Sequence, residues 1–257
     1  MKRRSAVLTI VLFLLLTAIV PVQAQEEPMR VLSKSSELQL LRQIEEDSGY
    51  DFSQNAKVRI CTLNITQANK SKEIKQIAVE EMDASGNGSV LFIIPFQRNE
   101  ENELQRISAI EPRRGGSDSY NLVKGSVNLY VRAYYTRSTA GNLYYLFRPT
   151  GADMRCTYSS GAVTEGAVGL GLFGELYNTA VNPPTVVNEY YTYTDRKTIG
   201  NMTSGTTYYR AVTPLIANRY IYVGSGGLPG CQFVLLWSFK HDGQTYSSIG
   251  YEEVWVP

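Results

Sequence analysis

The residues with the clearest capacity to bind a ligand are the tyrosines, and 17 of the 18 lie between residues 120 and 251. Four Tyr-Tyr dipeptides occur, at 134–135, 144–145, 190–191 and 208–209. Because neighbouring residues of a strand point to opposite faces, each dipeptide offers one ring to a core and one to the surface. An exposed tyrosine combines an apolar ring with a polar tip, which suits stacking on sugars and contacts with proteins.

Two further tyrosine pairs have the two-residue spacing that places side chains on one face of a strand. They are Tyr191 with Tyr193 and Tyr220 with Tyr222, and two arginines lie close enough in sequence to add hydrogen-bond donors at the rim. The predicted ligand-binding face consists of Tyr191, Tyr193, Tyr220, Tyr222, Arg210 and Arg219. The competing interpretation is that these rings only reflect the preference of tyrosine for strands.

Carboxylates could instead support catalysis. A glycoside-cleaving site needs two acids, which can come from strands that are far apart in sequence. Glu175, Glu189 and Glu252 lie in predicted strands beside aromatic residues and are the candidates for such a pair. The single histidine, His241, precedes Asp-Gly, a hairpin-turn signal, so we expect an exposed turn residue there and not a catalytic base. A secreted carboxylate-dependent hydrolase that acts on glycans is therefore the alternative function.

The segment 169–174 matches the pattern G-x-G-x-x-G. That pattern cradles a pyrophosphate only between a strand and a helix, and no helical pattern follows here. We therefore predict a strand with Val168, Leu170 and Leu172 on its core face and with glycines that allow a close approach on the other face. The glycine-rich stretch 162–174 is also the sole indication of a third class, a pore-forming toxin, although it lacks the alternating pattern of an insertable hairpin.

The three cysteines, Cys61, Cys156 and Cys231, lack the paired spacing of a zinc site, and only one histidine is present. No calcium-loop motif occurs either, so we expect neither a metal nor a cofactor. Because Cys156 and Cys231 lie in the same C-terminal region, we predict that they form a disulfide and that Cys61 stays reduced.

Residues 1–24 have the order of a secretory signal peptide: a basic start, an apolar run and small residues before a cleavage site after Ala24. The apolar run is shorter than the ~20 residues that span a bilayer, so we expect cleavage, secretion and no stable membrane span. Residues 25–257 then carry 22 basic and 24 acidic groups, because the leader contains three of the 25 Lys and Arg. Such a near-neutral chain has no electrostatic surface for nucleic acid.

The composition changes near residue 115, since 27 of the 92 residues from 25 to 116 are charged but only 19 of the 141 that follow. We predict an α+β region at 25–112, a linker or long loop at 113–119 and a tyrosine-rich all-β domain at 120–257. A long loop inside one large domain is the alternative to this division.

The N-terminal region should contain one helix, since Leu38, Leu41 and Ile44 recur at helical spacing. Short β-branched and aromatic runs between turn signals predict a mainly β fold whose C-terminal part is an antiparallel sandwich or barrel-like sheet. The combined prediction is a secreted, non-catalytic binding or surface-interaction protein whose partner is a glycan or a protein.

Overall fold

The structure, a computed structural model, describes residues 32–67, 70–113, 119–138, 146–213, 215, 218–222 and 232–248. The described residues form one helix, α1 (Lys34–Ser48), and fourteen strands. The first seven strands are β1 (Lys57–Gln67), β2 (Lys70–Met82), β3 (Asn87–Arg98), β4 (Leu104–Arg106), β5 (Ile110–Pro112), β6 (Tyr120–Leu122) and β7 (Val127–Ser138). The others are β8 (Leu146–Tyr158), β9 (Val163–Asn178), β10 (Thr185–Met202), β11 (Thr207–Ala211), β12 (Arg219–Tyr222), β13 (Gln232–His241) and β14 (Gln244–Ser247).

The predicted helix is present as α1, and both of its ends are capped. Ser33 accepts a hydrogen bond from the Ser36 backbone N–H, and Gly49, at φ +65°, donates its N–H to the carbonyl of Glu45. Leu41 and Ile44 are buried as the spacing predicts, whereas Leu38 is 49% exposed. The buried stripe of α1 packs on one face of the sheet and covers it.

Twelve strands join into one antiparallel sheet in the order β1-β2-β3-β7-β8-β12-β9-β13-β14, to which β4, β10 and β11 add at β3, β9 and β8. Strand β3 buries both of its faces. Buried apolar residues form a large cluster, called the main core, and a smaller cluster beneath α1. Val90, Phe92 and Ile94 enter the main core, and Leu91 and Ile93 enter the smaller core. The face that lines the main core is called the inner face here, and the opposite face is called the outer face.

The sheet curls so that strands β3 and β7 pack against β13 through aromatic rings. The Phe96 ring on β3 lies 6.0 Å from that of Trp237 and 5.6 Å from that of Phe239, both on β13. Tyr135 on β7 lies 6.4 Å from Phe233 in the same way. The mainly β, antiparallel, sandwich-like fold predicted from the sequence, with a small helical N-terminal part, is confirmed.

The two regions on either side of residues 113–119 share this sheet and its main core. Strand β3 pairs with β7 over ten residue pairs, from Asn87–Thr136 to Phe96–Val127. The main core draws residues from both regions. The predicted linker itself follows β5 and precedes β6, which pair with each other in a separate two-stranded sheet. Residues 114–118 lie outside the described part of the chain.

The segment with the G-x-G-x-x-G pattern is a strand, as predicted, because it forms the middle of β9. Val168, Leu170 and Leu172 are fully buried in the main core. A Cβ added to Gly169 would lie 1.9 Å from the carbonyl oxygen of Asp195 on β10, so only glycine permits this approach of the two backbones. The glycines serve strand packing.

The predicted Cys156–Cys231 disulfide is absent, because Cys156 carries a free thiol. Its side chain points from β8 into the apolar main core, where burial raises the pKa of the thiol to about 12. Cys231 lies outside the described residues. Cys61 donates its thiol hydrogen to the carbonyl of Gln76, with Sγ 4.0 Å from the oxygen. Within the described residues, no helix is long and apolar enough to cross a membrane.

Candidate binding surface

The two predicted tyrosine pairs lie on opposite faces of the sheet. Tyr191 pairs in register with Gly174 and Tyr193 with Leu172, and both rings pack against the main core. They are half-buried, and burial raises the pKa of Tyr193 to about 12, assisted by its hydrogen bond to Asp195. These two tyrosines thus belong to the inner face and pack chiefly as core residues.

Tyr220 and Tyr222 lie on the outer face, where they meet a third tyrosine. Strand β12 pairs with β9 so that Tyr220 is opposite Tyr177, and the rings of Tyr177 and Tyr222 are 6.3 Å apart. The guanidinium of Arg148 on β8 lies 5.6 Å from the centre of the Tyr220 ring. Glu175 accepts a hydrogen bond from the Tyr177 hydroxyl at 2.7 Å. The result is a group of three rings between one cation and one anion.

A second pair of rings lies on the outer face at the other end of β8. The rings of Tyr134 on β7 and Tyr209 on β11 are 5.7 Å apart. The Tyr209 ring covers Gly151, where an added Cβ would lie 2.3 Å from the Tyr209 hydroxyl oxygen. That hydroxyl donates to the carbonyl of Thr150 at 3.2 Å, and the side chain remains 51% exposed. Glycine at 151 therefore lets the ring lie flat on the strand.

These five rings form the outer tyrosine face, which comprises Tyr134, Tyr177, Tyr209, Tyr220 and Tyr222. The face spans four strands, because β11 and β12 both pair with β8 and β12 also pairs with β9. Phe173, which is exposed, extends it along β9. Hydrogen bonds fix the hydroxyls of Tyr134, Tyr177 and Tyr209, so these rings are held in place before a ligand arrives.

The two predicted rim arginines do not flank this face. Arg210 donates from Nε to the carbonyl of Thr198 at 2.9 Å and from Nη1 to that of Tyr209 at 2.8 Å, so its side chain ties β11 to β10. Arg219 alternates with Tyr220 along β12 and is opposite Asn178 on β9, which places it on the other face. The arginine that lies beside the outer tyrosine face is instead Arg148.

Beneath Tyr134 lies a buried polar group, the Asp153 cluster, which comprises Tyr50, Arg132, Tyr134 and Asp153. The Asp153 carboxylate accepts hydrogen bonds from the Tyr50 hydroxyl at 2.6 Å and the Tyr134 hydroxyl at 2.5 Å. The Arg132 guanidinium lies 4.2 Å from the centre of the Tyr50 ring. Tyr50 follows α1, so the cluster fixes the end of the helix to the sheet.

Burial raises the pKa of Asp153, and the two tyrosine hydroxyls and Arg132 oppose that rise. Burial also raises the pKa of Tyr50 and of Tyr134, and the Asp153 charge adds to both shifts. A shifted carboxyl is what a general acid would need, but Asp153 is only 2% exposed. Because a substrate cannot contact it, we assign the cluster to positioning Tyr134.

Two of the three acids proposed for a hydrolase lie within the described residues, on the adjacent strands β9 and β10, and neither carboxyl is buried. Glu175 lies on the outer face with Tyr177, Glu189 lies on the exposed part of β10, and Glu252 is outside the described residues. Among the described residues, no group of three or more His, Cys, Asp or Glu side chains could hold a metal ion.

The expectation of an exposed His241 is wrong, since the side chain is 2% exposed. Its Nδ1 lies 3.1 Å from the carbonyl of Ala162, which requires a proton on Nδ1. Its Nε2 then accepts from Nη2 of Arg98, also at 3.1 Å. Both ring nitrogens are satisfied, and His241 is a structural residue.

The ligand-binding residues predicted from the sequence include two of the five rings of the outer tyrosine face, Tyr220 and Tyr222. Tyr134 and Tyr209 are members of Tyr-Tyr dipeptides, whereas nothing in the sequence indicated Tyr177 or Arg148. The dipeptide at 144–145 lies outside the described residues. No protein-family model matches the chain, and no match to a curated protein was found.

Proposed function

We propose that this chain is an exported, non-catalytic binding protein that holds a carbohydrate ligand against the outer tyrosine face. The observation that carries the proposal is the placement of five tyrosine rings on one face of the sheet. They form one pair whose rings are 5.7 Å apart and one group of three that contains rings 6.3 Å apart. The ligand stacks its apolar C–H faces on these rings, as sugars do on aromatic side chains in general.

Two features favour a carbohydrate over a protein at this face. The rings are flanked by Arg148 and Glu175, whose donors and acceptors suit the hydroxyl groups of a sugar. The rings also follow one another across β7, β11, β12 and β9, which suits an extended chain of sugars. A hydrolytic role has no comparable support, because the two described acids with buried carboxyls, Glu80 and Asp153, are closed to substrates.

The test is binding of residues 25–257 to a panel of oligosaccharides, followed by titration of the best ligand against alanine variants. Tyr222→Ala and Tyr209→Ala should each weaken binding by ~1–3 kcal/mol, the range expected when a central aromatic contact is removed. Thermal unfolding should change little for Tyr209→Ala, because that ring is half exposed.

The matched control is Leu38→Ala, which removes an apolar side chain that is 49% exposed and lies on α1, not on a strand of the outer tyrosine face. Affinity should be unchanged in that variant. If no oligosaccharide binds, or if the control loses as much affinity as Tyr222→Ala, the carbohydrate proposal is overturned. Binding of a protein ligand that depends on the same rings would then assign the face to protein recognition.

A further inference from the structure

Strand β10 has one edge that no described strand covers. Among the described residues it pairs only with β9, although it is 18 residues long. An edge strand offers unpaired backbone donors and acceptors to any other extended chain. Exposed apolar side chains accompany this edge, namely Val186, Val187 and Tyr190.

Three contacts show which backbone groups point to the open edge. The Thr198 carbonyl accepts from Arg210 on β11, and the Tyr190 N–H donates to the Asn188 side chain, so neither group points at β9. The Asp195 carbonyl, by contrast, points at Gly169 on β9. Because these directions alternate along a strand, even-numbered residues face the open edge over this stretch.

The part of the edge whose backbone groups could pair with another strand is therefore short, and its two ends can be named. Asn188 and Arg210 satisfy one backbone group at each end, at Tyr190 and Thr198. Between these ends, the N–H and C=O groups of Thr192 and Thr194 remain for a partner strand, whereas the Arg196 N–H donates to the Asp195 carboxylate.

We propose that this edge binds a second copy of the chain, with the two β10 strands antiparallel about a two-fold axis through Tyr193. In that register Thr192 of each copy exchanges backbone hydrogen bonds with Thr194 of the other, which uses the groups that face the edge. Glu189 then lies opposite Lys197, which also pairs with Asp195 of its own chain. Tyr190 lies opposite Arg196, and both pairings occur once on each side of the axis.

The charges distinguish this register from its neighbours. Only shifts by two residues keep edge-facing groups opposite one another. Shifting one way places Glu189 opposite Asp195 and so opposes like charges, while shifting the other way removes both Glu189–Lys197 pairs. The charges along this edge of β10 therefore complement the charges along the same edge of a second copy. The resulting dimer would carry two outer tyrosine faces in one continuous sheet.

The experiment is sedimentation velocity of residues 25–257 without any carbohydrate, over about 1–100 µM protein. The wild-type chain should form a dimer in a concentration-dependent manner. Glu189→Lys and Lys197→Glu should each raise the dimer dissociation constant about tenfold, because every reversal opposes like charges twice per dimer. The double variant should restore the wild-type dissociation constant, since it restores both opposite-charge pairs.

A second variant tests the backbone. Thr194→Pro removes an N–H that points away from β9, so the fold should persist while the dimer is lost. Lys72→Glu, an exposed lysine on β2, is the matched control and should dimerise as the wild type does. A wild-type chain that is monomeric throughout, or a double variant that stays as weak as the single ones, overturns the proposal. Because no carbohydrate is present, this result is independent of the proposed ligand.

Discussion

At the scale of single residues, the sheet contains ionisable groups whose pKa is raised more by burial than it is lowered by neighbouring charges. Glu80 on β2 shows this most clearly, since its side chain is 5% exposed and lies on the inner face near the Tyr135 hydroxyl. Its Oε2 is 2.7 Å from Nη2 of Arg59, and Lys57 is opposite it in register. Burial nevertheless raises the pKa of Glu80 to about 7, against the two nearby cations.

A carboxyl whose pKa is higher in the folded than in the unfolded state stabilises the fold at low pH and loses that contribution as pH rises. The Glu80 contribution is thus complete below about pH 4.5 and is lost through about pH 7. We expect Glu80→Gln to flatten the fall in the free energy of unfolding between pH 5 and pH 8, by at most about 3 kcal/mol.

Denaturant unfolding at several pH values measures this slope. Arg59→Gln is the companion variant, and it should steepen the slope because it removes a cation that lowers the Glu80 pKa. A stability profile of Glu80→Gln that runs parallel to that of the wild type would show that Glu80 is not the responsible group.

At the scale of elements, glycines decide how closely neighbouring chains can approach. Gly169 does so for strands β9 and β10, because its missing side chain leaves room for the Asp195 carbonyl. Gly161, at φ +78°, does so for the turn before β9, where an added Cβ would lie 2.6 Å from Cε1 of His241. The atoms next to Gly169 belong to the backbone, and the His241 ring next to Gly161 is held by two hydrogen bonds.

We expect Gly169→Ala to destabilise the chain by ~1–3 kcal/mol, because the added methyl group pushes against backbone atoms that have no rotamer to change. Thermal or denaturant unfolding measures this loss. Gly243→Ala is a useful comparison, since that position has φ +83° but open space around it. Gly243→Ala should therefore show only the cost of a positive φ, and equal losses would contradict the steric explanation.

At the scale of the whole molecule, the twelve-stranded sheet and its main core join the N-terminal and C-terminal regions. Phe96 on β3 contacts Trp237 and Phe239 on β13, which follow it by more than 140 residues. Because this cluster joins strands from both regions, neither region has a complete core without the other. We therefore expect the described fold to unfold cooperatively, in a single transition.

We expect Phe96→Ala to lower the free energy of unfolding by ~3–5 kcal/mol, since it removes a fully packed aromatic ring. Tryptophan fluorescence and far-ultraviolet circular dichroism should report the same transition midpoint in the wild type and in the variant. Two separated transitions, with only one of them shifted by the substitution, would indicate two independent domains.

The sequence by itself determined the local structure, because local periodicity and capping depend on near neighbours. The spacing of Leu41 and Ile44 predicts α1, and the alternation of Val168, Leu170 and Leu172 predicts β9 with its core face. The clustering of tyrosines beyond residue 120 likewise indicated a surface rich in rings before any strand was paired.

Only the tertiary structure decided which rings share a face and which groups are buried together. Tyr191 and Tyr220 each fit a two-residue period, but that period does not say which face meets the core. Register irregularities in β10 and the position of β12 between β8 and β9 send one ring inward and the other outward. Tyr50 and Asp153 meet across 103 residues, and no local pattern encodes a contact that only the curled sheet creates.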